Sequence, residues 1–194
     1  YFIAQQGLNV NGAGSDATDS SNGSSAGSEN WAKNWSVIRQ CYIVKENIDK
    51  VADMTDQEKA VIKAEVTALI AYRYMGMFYR FGGVPIVTRS FEASDDLTAG
   101  RATLEETLQH IIDLCEEAYA VLPAKWDAAN TGRMTQGAVL AIKARALMFA
   151  ARPLFNSATP YLDNGDLNNL ICFGSADNSR WQDAIDANEA VLKW

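Results

Sequence analysis

Apolar residues recur every three to four positions in five separate stretches of the chain, which predicts a mainly helical protein. Trp31, Trp35, Ile38, Tyr42 and Ile48 form the first row, widened by Cys41, Val44 and Val51, and place a helix over roughly 31–52. Thr55-Asp56-Gln57-Glu58 has the spacing of a capping box, in which the threonine oxygen and the glutamate each take a backbone N–H left free at a helix start. The second helix begins there. Its stripe of Val61, Ala64, Ala68, Ala71, Met75 and Phe78 is flanked by Ile62, Val66, Leu69 and Tyr72, so most of its circumference should be covered by neighbours. Gly82-Gly83 ends it, and Val84-Pro85-Ile86-Val87 is expected to be extended, because proline disfavours helical geometry in the residue before it. A second box, Thr103-Leu104-Glu105-Glu106, opens a helix with core row Leu104, Leu108, Ile111, Ile112, Cys115, Ala118, Tyr119 and Leu122 that stops at Pro123. Thr135 is placed to cap a fourth helix carrying Ala138, Ala141, Ile142 and Arg145, which must end before Pro153. Residues 153–178 lack a period. Ser179-Arg180-Trp181-Gln182 then resembles a third box and starts a fifth helix through Ala184, Ile185, Asn188 and Val191.

The helices repeat. Ile112-Asp113 and Glu116 recur 73 residues later as Ile185-Asp186 and Glu189, and Arg73 and Arg145 both stand in Ala-rich apolar turns. Paired antiparallel helices of this kind, joined by long irregular loops, suggest an all-α, tetratricopeptide-like solenoid in which each unit buries its apolar face against the next. The pairs would lie at about 31–80 and 103–152, with the start of a third at 179–194. Residues 11–30 are almost all Gly, Ser, Asn, Asp, Thr and Ala, too poor in apolar surface to offset the entropy of ordering, and are expected to form a mobile loop. The single domain so outlined is expected to be a portion of a longer chain, since it opens without an initiator Met and closes inside a periodic stretch.

Composition narrows the functional classes. The net charge is −7 and the 17 Lys and Arg residues are scattered, which argues against nucleic acid as a partner. No apolar run approaches the roughly 20 residues of a membrane span. Cys41, Cys115 and Cys172 have neither the even count nor the spacing of a disulfide framework or zinc site and should be small buried hydrophobes. The one histidine, His110, falls on the polar side of the third helix and is expected to be solvated. Neither a zinc-protease H-E-x-x-H nor a phosphate-binding G-x-x-x-x-G-K occurs. The adjacent acids Asp95-Asp96, Glu105-Glu106 and Glu116-Glu117 cannot face each other across a glycosidic bond when they project about 100° apart on a helix. No enzyme activity and no cofactor are expected.

Four segments carry a family resemblance. They are Trp31-x-x-x-Trp35-x-x-Ile38-Arg39; Ala64-Glu65 through Ala71-Tyr72-Arg73-Tyr74 into Tyr79-Arg80-Phe81-Gly82-Gly83-Val84-Pro85-Ile86-Val87; Arg101-x-Thr103-x-Glu105-Glu106 with Ile111-Ile112-Asp113-Leu114 and Leu122-Pro123; and Gly132-Arg133-x-Thr135-x-Gly137-Ala138 with Ala141-x-Lys143-Ala144-Arg145 and Pro153. In this order they resemble the SusD/RagB family, the second segment most specifically. The resemblance implies a lipidated protein on the surface of the outer membrane of a Bacteroidetes-type bacterium, its N-terminal lipid anchor lying outside this chain. Such a protein binds an oligosaccharide or polysaccharide and acts as a lid on a SusC-like TonB-dependent transporter. A peptide ligand, or a tetratricopeptide-type scaffold for protein segments, is the alternative, and a glycoside hydrolase a distant third.

Sugar sites combine an aromatic face for the apolar side of a pyranose with amides, carboxylates or guanidinium groups for its hydroxyls. Trp31 and Asn34 are the first candidates, because a spacing of three sets ring and amide side by side on a helix start and the resemblance implies a ligand-contacting Trp and Asn in this region. Core packing of Trp31 is the competing reading. Trp126, in a polar loop, is a possible second platform or simply a staple over the core. Arg73 and Arg145, set in apolar turns, are expected to be buried and to bond helix ends or carboxylates. Asp163-Asn164-Gly165-Asp166 has the form of a tight turn whose Asp163 and Asp166 oxygens a calcium ion could use.

Overall fold

The computed structural model describes residues 31–91, 94–95 and 98–194; the loop expected at 11–30 lies outside the described residues. Five α-helices are described: α1 (Trp31–Asn47), α2 (Asp56–Phe81), α3 (Leu104–Tyr119), α4 (Gln136–Ala150) and α5 (Ser179–Lys193). Short 3-10 turns occupy Ile48–Lys50, Ala128–Asn130 and Gly165–Leu170, and no strand occurs among the described residues. Helix α1 is thus shorter than its apolar period suggested: the last turn tightens to a 3-10 turn and Val51 is already extended.

The helix starts follow their capping residues. Thr55 accepts from the Glu58 N–H while Glu58 accepts from the Thr55 N–H, and Thr103 and Glu106 repeat that reciprocal pair at α3. At α4 the Thr135 hydroxyl accepts from the Ala138 N–H at 3.2 Å. The box expected at Ser179 does not form. Asn178 is the capping position and makes no side-chain cap bond, the Asp177 carboxylate takes the Ser179 N–H at 2.8 Å, and Gln182 donates instead to Asp186. The Asp177 carboxylate outcompetes the Gln182 amide oxygen for the Ser179 N–H, because a charged acceptor makes the stronger bond to a free N–H.

Consecutive helices pack on one another, α1 on α2, α2 on α3, α3 on α4 and α4 on α5, with α2 also reaching α4. Nearest-neighbour stacking of this sort is the all-α, tetratricopeptide-like arrangement the period implied. The 73-residue repeat survives in detail: Gln109 donates to Asp113 on α3, and Gln182 donates to Asp186 on α5, both at 2.7 Å. Helix α2 is the central element. Its Ile70, Tyr74, Met77, Phe78 and Phe81 are at most 2% exposed and meet Ile38 of α1 and Leu104 and Ile111 of α3 in the core. The stripe read in sequence is buried at Ala64, Ala68, Ala71, Met75 and Phe78, but the expected flank is not: Leu69 and Tyr72 are exposed, and Ile70, Tyr74 and Met77 are buried in their place. Helix α4 differs likewise. Gly137, Val139, Ile142, Ala144, Ala146 and Ala150 are buried, whereas Ala141 and Arg145 face out. An Ala-rich helix has no strong apolar side, so its rotation is decided by which small residues allow close approach. Gly137 shows this directly, because a Cβ there would lie 2.4 Å from the Trp194 ring.

The Gly82-Gly83 pair turns the chain at the end of α2 where there is no room for side chains. Gly82 has φ 72°, and a Cβ on it would stand 2.1 Å from the Leu170 carbonyl oxygen; on Gly83 it would stand 2.0 Å from that of Ala102. The segment that follows is extended, as Pro85 required, and is pinned from several sides. The Gly83 N–H donates to Leu170, the Val84 N–H to the Thr107 hydroxyl, and Arg101 donates to the carbonyls of Gly83 and Phe81. The Tyr74 hydroxyl accepts from the Val87 N–H at 2.8 Å and donates to the Pro85 carbonyl at 3.2 Å.

Cys41, Cys115 and Cys172 are buried free thiols, as their spacing indicated. Burial raises the first two, pushing the Cys115 thiol up to about 12, so neither is a thiolate at neutral pH.

Candidate functional site

Trp31 and Asn34 share the first turn of α1, but both point inward. Trp31 is 6% exposed and Asn34 2%. The Trp31 ring makes edge contacts with Phe81 at 5.0 Å and Trp35 at 5.3 Å, and Trp35 in turn meets Tyr74 at 5.9 Å. Of the two readings of position 31 the ring takes the packed one, buried and tying the start of α1 to the end of α2. The sequence could not separate the two arrangements, because i and i+3 neighbours share a face whether that face looks inward or outward.

Trp126 is half-buried in the loop between α3 and α4. Its Nε1 donates to the Met134 carbonyl at 2.7 Å, and the Arg133 guanidinium lies 3.9 Å from the ring centroid. Arg133 also forms a two-pronged pair with Glu65 of α2, at 2.9 and 2.6 Å, and that bond raises its pKa. A cation already occupies the ring, so Trp126 staples the loop to α2.

Asp163 and Asp166 lie in the turn the sequence indicated. One Asp163 oxygen accepts from the Gly165 N–H and from the Asn168 amide, both at 3.0 Å, and these bonds lower its pKa, the Asn168 bond foremost. Among the described residues no group of three or more His, Cys, Asp or Glu lies together in a way that could hold a metal. Arg145 is exposed, its guanidinium 5.5 Å from the Tyr79 ring, which corrects the expectation of a buried, paired charge. Arg73 is half-buried, with its Nε and Nη1 unbonded near Cys41.

The structure assembles a site that sequence reasoning missed. A cleft of about 380 Å³ opens between α1 and α3, walled on a third side by the segment after Val87. Tyr42 and His110 form its floor, Leu114 and Thr88 its flanks, and Lys45, Glu46, Asp113 and Glu117 its rim. The third wall is held by Glu46, which accepts from the Ser90 N–H at 2.8 Å and from the Ser90 hydroxyl at 2.5 Å. Those bonds lower the Glu46 pKa. Lys45 reaches across the cleft to Glu117 at 2.5 Å. Burial, with Glu117 and Cys41 adding, pushes the Tyr42 phenol up to about 12.

His110 is the clearest correction. Its ring stacks edge-to-face on Tyr74 at 4.7 Å, and its Nε2 is buried without a hydrogen-bond partner. Burial lowers its pKa, opposed by Asp113 and Glu117, so the imidazole is neutral at pH 7. The helical wheel set His110 among polar neighbours on α3; it could not show that the chain leaving α2 folds back over that face. The Gly-Gly turn and Val-Pro step were the only signals of that return.

A family model for SusD-like proteins, described as starch-binding and associating with the outer membrane, matches residues 2–148. No curated protein matches the chain. Among solved structures, it is similar to BT4246, with 28% identity and a TM-score of 0.75 over 84% of this chain and 29% of that one. It is similar also to a SusD-like protein (BF3747) from Bacteroides fragilis, with 23% identity and a TM-score of 0.65 over 84% of this chain and 26% of the other. Surface glycan-binding protein A from Bacteroides uniformis shares 19% identity and a TM-score of 0.62 over 84% of this chain and 31% of its own. The chain thus spans under a third of the length of each.

Proposed function

The chain belongs to the SusD-like family, and from that premise we propose that the protein captures oligosaccharide outside the outer membrane and hands it to a partner SusC-like TonB-dependent transporter. The match of residues 2–148 to a family described as starch-binding and outer-membrane-associated carries this reading. Likeness in fold to a surface glycan-binding protein supports it. Attachment to the membrane by an N-terminal lipid belongs to the same proposal; no helix among the described residues is long and apolar enough to cross a bilayer.

Trp31 and Asn34 remain part of the proposal in a modified form. With the ring 6% exposed, a sugar reaches it only when the first turn of α1 shifts, so binding should change tryptophan fluorescence and Trp31→Phe should remove that change. Native gels cast with neutral polysaccharides test the function itself. Retardation by a glucan or another neutral polysaccharide supports the proposal, whereas free migration in every gel, together with binding to peptides, replaces it with the peptide reading.

A further inference from the structure

The cleft between α1 and α3 has a chemistry unlike that of an ordinary sugar platform. It offers no open aromatic face, for Tyr42 is 5% exposed and His110 is stacked against Tyr74. What it offers is charge and acceptors. Its lining carries the carboxylates of Glu46, Asp113 and Glu117 against the single ammonium of Lys45, a net charge of −2 with the imidazole neutral. Lys45 is already bonded to Glu117, and Glu46 and Asp113 keep lone pairs free beyond the donors Ser90 and Gln109. An anion entering here meets repulsion, and a neutral hydroxyl gains only ordinary hydrogen bonds. An ammonium group gains charge-assisted bonds, which are roughly twice as strong as neutral ones. The volume of about 380 Å³ lies at the small end of ligand pockets and suits a small ligand such as a single sugar ring and its substituents.

We propose that this cleft is a subsite for the protonated amino group of an amino sugar, held between Asp113 and Glu46 over the His110 imidazole. The inference rests on the glycan-binding reading and names the class of residue that one part of the glycan would carry. Glu46 both anchors Ser90 and lines the cleft, so ligand contact and the position of the third wall share one side chain.

His110 is the only histidine of the 194 residues, which gives the cleft its own reporter. The chain, labelled with 15N and 13C, is titrated with the β-1,4-linked glucosamine disaccharide at pH 6, and the imidazole signals are followed, with His110→Gln confirming their assignment. The expected result is a saturable shift that weakens about tenfold in the Glu46→Gln, Asp113→Asn double variant, the effect of two part-exposed ion pairs. The di-N-acetylated disaccharide, which lacks the charge, should shift the signals weakly or not at all. Unmoved His110 signals, an equal response to the acetylated sugar, or unchanged affinity in the double variant would each overturn the subsite. An equal response to Nα-acetyl-lysine amide would overturn its assignment to a sugar. Retardation by neutral glycan with a silent His110 removes this inference alone, whereas no response to any glycan removes the functional reading beneath it.

Discussion

Replacing Tyr74 with Phe takes away one oxygen and leaves every ring contact in place, so it isolates what holds the Gly-Gly-Val-Pro return against α2. That oxygen accepts the Val87 N–H at 2.8 Å and donates to the Pro85 carbonyl at 3.2 Å. Burial raises its pKa, so the group is a neutral phenol throughout the working pH range. Without it two backbone groups lose their partner inside the protein, each costing about 1–3 kcal/mol when water cannot replace it. Pro85 is buried and Val87 half-buried, so the second loss is partly made good and the sum should fall at about 2–4 kcal/mol. In urea, with a slope of about 2 kcal/mol per molar, the midpoint followed by far-ultraviolet circular dichroism should drop by about 1–2 M at unchanged slope. Tyr72→Phe is the control, because Tyr72 is 43% exposed and the change should stay within about 0.5 kcal/mol. If Tyr74→Phe shifts the midpoint no more than Tyr72→Phe does, the segment is not pinned in this way and the third wall of the cleft loses its support.

Gly83→Ala should destabilise by about 3 kcal/mol or more, because the new Cβ meets the backbone at Ala102 and Thr103, which a rotamer change cannot relieve; a near-normal melting curve would contradict the close approach. A double-mutant cycle on Arg133 and Glu65 should give a coupling of about 1 kcal/mol that shrinks in 1 M salt, since the pair is two-pronged but its side chains are 35% and 16% exposed. No measurable coupling would leave the loop held by Trp126 alone. His110 has its pKa lowered from 6.5 by folding, so the unfolded chain takes up the proton first as pH falls. Its contribution to stability should be complete above about pH 6.5 and be lost as pH falls through the window down to the depressed folded value, a dependence that His110→Gln removes and that denaturation at a series of pH values would reveal.

Much of the fold was legible because it rests on local rules. Thr55 with Glu58, Thr103 with Glu106, and Thr135 mark helix starts by the chemistry of their own backbone, and Gly82-Gly83 and Pro85 mark the stop by theirs. The Ser179 start failed as a box because a better acceptor, Asp177, lay just outside the motif. Helix rotation was less legible in the Ala-rich α4, which presents small residues on several sides so that tertiary contact chooses among them, whereas on α2 only the width of the buried face was misjudged, at Leu69 and Tyr72. The site was least legible. Trp31 and Asn34 were correctly paired on one turn, yet their direction depends on Phe81, fifty residues on. His110 owes its burial to Tyr74 and to a segment of another turn of the chain, contacts that no window along α3 contains.

The central claim is that this protein holds carbohydrate, and isothermal titration with a panel of neutral and amino oligosaccharides, set beside peptides of matched size, tests it most directly. The account predicts saturable heat from at least one oligosaccharide, with that sugar recovered intact afterwards. Heat from peptides alone, or recovery of a cleaved sugar, would contradict it.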